Sequence, residues 1–145
     1  MKDRVLIIMT LVIVMGLAVA CGNGRKSSAG DNVVELKVIP ERTDGVPESL
    51  KLVVANRSDS TVRFGADYAV ERHVEGEWVK HDLGDFAVIM ITYNLAPGES
   101  GEYDINLFPG RAEYPEGEYR IVKMISGGSV DGKPYYGYFM INGPS

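Results

Sequence analysis

Glu102-Tyr103-Asp104-Ile105-Asn106-Leu107 carries an apolar side chain at every second position, with polar ones between. That is the period of a β-strand with one buried face, because successive side chains leave a strand on opposite sides. Val34, Leu36 and Val38 repeat the pattern around Glu35 and Lys37, and Leu50, Leu52 and Val54 repeat it around Lys51 and Val53. No window of the same region keeps a 3.6-residue stripe. Turn formers punctuate it at short intervals: Asp44-Gly45, Asn56-Arg57-Ser58-Asp59, Glu75-Gly76, Pro97-Gly98, Pro109-Gly110, Glu116-Gly117 and Asp131-Gly132. Short strands at this spacing without helices predict an all-β antiparallel sandwich of about seven to nine strands. We place them near 33–39, 49–56, 61–65, 68–74, 77–81, 86–93, 101–107, 118–125 and 135–141.

Two segments add detail. Ala87-Val88-Ile89-Met90-Ile91 is continuously apolar, which suits a strand buried on both faces or facing a partner. Glu116-Gly117-Glu118-Tyr119-Arg120-Ile121 has the spacing of a tyrosine corner, in which a tyrosine opening a strand bonds back to upstream backbone.

The N-terminus predicts location. Lys2 and Arg4 precede an apolar run from Val5 to Ala20, and the small residues before Cys21 resemble an export-signal exit. A cysteine at that exit is the lipobox arrangement, in which the thiol receives diacylglycerol and becomes the first mature residue. The run is shorter than the roughly 20 residues of a spanning helix. Residues 1–20 are therefore expected to be a cleaved lipoprotein signal peptide. Residues 21–32 would be the lipidated Cys21 and a flexible polar tether, and 33–142 the sandwich domain. Acyl chains, each methylene contributing about 0.8 kcal/mol, would hold the protein on the bacterial cell envelope, outside the cytoplasm.

Losing two of 15 basic and one of 20 acidic side chains with the signal leaves 13 against 19, net −6. That balance disfavours nucleic acid, which needs a basic stripe. With Cys21 acylated no thiol remains, so the domain must fold on its hydrophobic core alone.

The chain resembles a bacterial Ig-like domain of the kind carried by small lipoproteins and surface proteins. The likeness rests on Leu52-Val53-Val54-Ala55-Asn56-Arg57-Ser58, Phe64 to Glu71, Gly76-Glu77-Trp78-Val79, Leu95-Ala96-Pro97-Gly98-Glu99 and Gly117 to Ile121. It implies an Ig-like sandwich and supplies no catalytic residue. A lesser similarity, to the bacillus-type proteinase inhibitor domain, rests on the Asn56–Asp59 turn, the Pro97–Glu99 turn and the Gly117–Tyr119 corner. It implies an alternative role, a secreted protease inhibitor presenting Asp82–Phe86 or Ser126–Pro134 as a rigid loop.

No catalytic set stands out. Serine occurs in neither G-x-S-x-G nor S-x-x-K, and H-E-x-x-H is missing. If Glu75-Gly76 is a two-residue hairpin turn, facing residues sum to 151. His73 then faces Trp78, His81 faces Val70, and the two histidines lie on opposite faces, unable to share a metal. The same register sets Glu71 opposite Lys80. Asp82 and Asp85 beside Gly84 lack the oxygen count calcium requires and read as solvated loop acids. We expect no enzyme, no metal and no cofactor. The expected function is a non-catalytic binding or structural module, with the membrane and an unknown protein or envelope component as partners.

A contact surface is suggested by alternation. With Phe139 and Ile141 inward, Tyr136, Tyr138 and Met140 point outward; with Tyr119 and Ile121 inward, Arg120, Val122 and Met124 do the same. These six form an interface-like set unless another strand, the tether or a loop covers them. Lys123, on the inward parity, requires a bulge or a snorkelling stem. The glycine-rich Ser126–Pro134 segment is expected to be a mobile loop between the last two strands.

Overall fold

The computed structural model describes residues 33–128 and 130–143. The expected signal peptide, Cys21 and the tether lie outside the described residues. Within them the chain is all-β, with ten strands and no helix: β1 Val34–Ile39, β2 Arg42–Asp44, β3 Ser49–Asn56, β4 Val62–Gly65, β5 Ala69–Val74, β6 Glu77–His81, β7 Thr92–Leu95, β8 Ser100–Asn106, β9 Gly117–Gly127 and β10 Val130–Asn142.

They form two sheets. The smaller runs β1-β3-β8, antiparallel throughout, and buries Val34, Val38, Leu50, Leu52, Val54 and Ile105 on its inner side. The larger is built on β9 and β10, with β2 added in parallel to the end of β10. Its inner side contributes Val62, Phe64, Val70, Tyr119, Ile121, Ile125, Phe139 and Ile141 to the same core. The sheets approach closely at Gly137. A Cβ there would stand 3.0 Å from Val38 Cγ2 and 3.1 Å from Leu52 Cδ1, so the position tolerates little beyond hydrogen.

The larger sheet forks. On the side of β9 away from β10, Arg63 of β4 pairs with Ser126 while Ala69 of β5 pairs with Val122. Residues 64–68 therefore face only 123–125, and the surplus backbone swings out of the ladder. Beyond the break β4 pairs with β7 and β5 with β6. Lys123 sits at the fork. It is 2 % exposed, and its ammonium donates to the carbonyls of Gly65 and Asp67, each at 2.6 Å. The register of β9 against β10 runs unbroken past Lys123, so the irregularity lies in the neighbouring strand. The lysine points inward because the broken ladder leaves carbonyls there that need a donor.

The tyrosine corner is present: the Tyr119 hydroxyl donates to the carbonyl of Pro115, four residues upstream. Asn56 closes the other end of β3. Its amide donates to Ser60 O (2.8 Å) and Leu95 O (2.9 Å), and its side-chain oxygen accepts from Ser58 N (2.9 Å) and Ser58 Oγ (2.6 Å).

Two expectations are corrected. Residues 86–91 are not a strand; only Thr92–Leu95 joins a ladder. Of the apolar run, Ile89 is 67 % and Met90 100 % exposed, and Ile91 N donates to Ile89 O in a tight local turn. Phe86 instead packs on Tyr68 and Phe108, with ring centroids 5.5 and 4.8 Å away. An apolar run marks a buried strand only where a neighbour offers free backbone, and here β4 takes β7 instead. Ser126–Pro134 is likewise no open loop: β9 and β10 run through it, and Gly127, at φ 133°, faces Val130 across a tight connection. Gly127 and Gly128 (φ 54°) allow this turn, since both lie where side chains are strained.

Candidate functional site

The outer face of the larger sheet brings the six sequence-predicted residues together. Cross-strand pairing places Tyr138 beside Arg120, Tyr136 beside Val122, and Met140 beside Glu118, with Met124 following along β9. Tyr138 and Met124 are 54 % and 53 % exposed; Arg120, Val122, Tyr136 and Met140 are half-buried. No described strand lies over them.

From the other side β5 and β6 extend the same face. The Glu75-Gly76 turn has positive φ at both residues, 49° and 84°, as the two-residue hairpin requires. Facing residues sum to 151 as expected: His73 pairs with Trp78, Glu71 with Lys80, and Val70 with His81. Because Glu71 also pairs with Arg120, the hairpin delivers Glu71, His73 and Trp78 to the face that holds Tyr136 and Tyr138.

Arg120 is the centre of the arrangement. Its Nε and Nη2 both lie 2.6 Å from Glu71 Oε1. The guanidinium carbon stands 4.4 Å from the Trp78 ring centre and 3.8 Å from that of Tyr136. The planar cation is thus held between aromatic rings and tied to a carboxylate, which suits arginine and not lysine. Trp78 also meets His73 at 4.8 Å and Tyr138 at 5.7 Å, and His73 Nδ1 is 3.5 Å from Glu118 Oε2. Glu71 does stand opposite Lys80, yet its carboxylate turns the other way, to Arg120.

Sequence reasoning left Trp78, Glu71 and His73 out of this surface. The 151 register already sets them on one side of their hairpin. What it lacks is the pairing of β5 with β9, a contact between segments about 50 residues apart that local patterning does not encode.

Beside this cluster, Glu41, Glu118, Tyr138 and Met140 line an open hollow of about 330 Å³, floored by Tyr119 and Phe139.

The second histidine has a different setting. His81 points inward, its ring 4.4 Å from Tyr114 and 5.6 Å from Tyr119. Burial holds its pKa below the ordinary value, with a Glu113 backbone hydrogen bond opposing and the nearby Arg72 charge adding to the effect. Asp82 accepts a hydrogen bond from Gly84 N, and Arg111 donates to the Asp85 carbonyl, so the Asp82–Phe86 segment is pinned by its own turn and by Arg111. Among the described residues no three histidine or acidic side chains converge in a metal-binding group.

The family model described as "Bacterial Ig-like domain" matches residues 31–136, most of the chain. The chain belongs to that family. The match spans the tyrosine corner, the Asn56 turn and the Glu75-Gly76 hairpin, so the Ig-like resemblance seen in the sequence holds. No curated protein matches the chain significantly. Among solved structures, it is similar to the periplasmic chaperone SfaE, at 12 % identity and TM-score 0.44, over 76 % of this chain and 57 % of that one. It is also similar to the Pseudomonas fluorescens alkylpurine DNA glycosylase AlkC bound to DNA containing an abasic site analog, at 13 % identity and TM-score 0.41, over 76 % and 30 %. A third is the Listeria innocua beta-glucosidase in complex with gluconolactone, at 14 % identity and TM-score 0.35, over 77 % and 16 %. In each case the Ig-like chain spans less than two thirds of the other protein.

Proposed function

We propose that this Ig-like domain is a non-catalytic protein-binding module, held on the bacterial cell envelope by acylated Cys21 and contacting its partner through the outer face of β9, β10, β5 and β6. One observation carries the reading: Arg120 fixed between Trp78 and Tyr136 at the centre of an open face flanked by Tyr138 and Met124. Tryptophan, tyrosine and arginine dominate interface energetics, and an arginine already locked by Glu71 loses little further freedom on binding.

The ring geometry favours a protein over a glycan. Trp78 and Tyr138 are inclined at 58° and Tyr136 and Tyr138 at 41°, so the rings make no flat platform for a row of sugars. Arg120 already occupies faces of Trp78 and Tyr136. The envelope location rests on Cys21 and the charged, apolar, small-residue sequence before it.

The test is saturation binding of the fluorescently labelled protein to envelopes of its own bacterium. Tyr138→Ala and Met124→Ala should each weaken saturable binding tenfold or more, the loss of a hot-spot residue. Lys51→Ala, on the outer side of the other sheet, should leave it unchanged. Equal binding by all three variants and wild type would remove the face from consideration. Cys21→Ala should separately release the full-length protein from membranes.

A further inference from the structure

The outer face holds one cation internally and offers the same chemistry again beside it. Arg120 has two aromatic faces and the Glu71 carboxylate. One step along the strands, the hollow of about 330 Å³ is lined by Tyr138, Met140, Glu118 and Glu41. Tyr138 faces Arg120 across the strand pair, and Glu118 is two residues before Arg120 on the same face, so the second set repeats the first at the next register position. Its carboxylates are held only loosely. Glu118 has His73 Nδ1 at 3.5 Å, and Glu41 has Lys37 at 3.9 Å, both at the surface.

We infer that this hollow takes a lysine or arginine side chain of the partner, seated over Tyr138 and paired with Glu118 and Glu41. The inference deepens the proposed function and rests on the same face. Three physical points support it. An exposed aromatic ring attracts a cation through its quadrupole, and adjacent carboxylates add charge complementarity. A long side chain entering the hollow can lay its methylenes against Met140. Arg42 stands at the rim, with Nη1 3.1 Å from Met140 Sδ in the wall of the hollow and 3.5 Å from Asn142 Oδ1. Arg42 is therefore the competing charge. Its removal should help a cationic ligand and harm an anionic one.

Trp78, the single tryptophan of the chain, lies 5.7 Å from Tyr138 and serves as a built-in fluorescence reporter. The full-length protein in neutral detergent is titrated with a peptide of alternating arginine and glycine, and with the same peptide carrying citrulline for arginine. The expected result is a saturable Trp78 response to the arginine peptide at least fivefold tighter than to citrulline. Glu118→Gln should weaken it about three- to fivefold, the size of one exposed carboxylate contact. Arg42→Gln should tighten it, while Lys51→Ala leaves it unchanged.

An equal response to citrulline, or indifference to both Glu118→Gln and Arg42→Gln, would overturn the cation site. Envelope binding that Tyr138→Ala abolishes but Glu118→Gln leaves intact would also overturn it, with the protein-binding reading of the face still standing. Envelope binding left intact by both Tyr138→Ala and Glu118→Gln would reject the two together. Thermal melts of each variant separate lost binding from lost folding.

Discussion

Lys123 shows how a single residue can look wrong in a sequence and be right in the fold. A charged side chain on the inward parity of β9 contradicts simple alternation, and a buried charge is costly unless it is satisfied. Here the fork between β4 and β5 leaves two carbonyls unpaired, at Gly65 and Asp67, and the amine reaches both. Burial pushes its pKa down to about 8, with the Asp67 charge opposing. A base whose pKa is lower folded than unfolded binds fewer protons in the native state over the window between the two values. Stability tied to Lys123 is thus fully present above about 10.5 and is lost as pH falls toward 8. Tyrosines titrate in the same range, so the comparison must be differential. Denaturant titrations at pH 7.5, 8.5 and 9.5 should show wild type gaining stability relative to Lys123→Met as pH rises. A constant difference between the two proteins would contradict the assignment.

His81 gives the acid-side counterpart. Its folded pKa lies below the ordinary value of about 6.5 because burial disfavours the imidazolium. The stability it contributes is present above that value and declines as pH falls through it. His81→Phe should flatten the decline between pH 7 and 5 in thermal melts, and an unchanged slope would place the acid sensitivity elsewhere.

At the scale of elements, Asn56 ties three pieces of backbone together. All its side-chain valences are used, on Ser58, Ser60 and Leu95, and its backbone exchanges hydrogen bonds with the Pro97-Gly98 turn through Gly98 N and Glu99 O. Asn56→Ala removes the buried bond to Leu95 O and the anchor of the Ser58–Ser60 turn and should cost about 2–4 kcal/mol in urea unfolding. Tyr119→Phe, which removes only the bond to Pro115 O, should cost about 1 kcal/mol.

Much at this scale was legible in the sequence. Alternation located β1, β3 and β8, and the Glu75-Gly76 turn set the β5–β6 register to the residue. The rest depended on competition between distant segments. Ala87–Ile91 has the composition of a buried strand, but a strand needs an open edge to join, and composition does not reveal that β7 takes the edge of β4. The short β2 owes its existence to a parallel partner about 98 residues away, at Met140–Asn142. The outward halves of β9 and β10 were readable by parity. That β5 and β6 would add Glu71, His73 and Trp78 was not.

For the whole molecule, the two sheets divide the work. The smaller supplies one wall of the core and presents charged pairs outward, among them Lys51 with Asp104 at 2.7 Å and Arg57 with Glu35 at 3.3 Å. Such exposed pairs contribute little to stability and keep that face solvated. The larger sheet presents aromatic and sulfur side chains around a locked arginine. This asymmetry carries the functional reading, and Arg120 is its organising group. Arg120→Ala strips the cation from two rings and leaves the half-buried Glu71 unpaired; a loss of about 2–3 kcal/mol is expected. Arg120→Lys should recover only part of it, since an ammonium cannot stack between Trp78 and Tyr136.

The central claim, that the outer face of the larger sheet is the contact surface, is tested most directly by photo-crosslinking in the living bacterium. A photoreactive amino acid at position 138 or 124 should yield the same discrete adduct from both sites. The same probe at position 51, on the opposite sheet, should yield none. Adducts from position 51 with none from 138 or 124 would contradict the account.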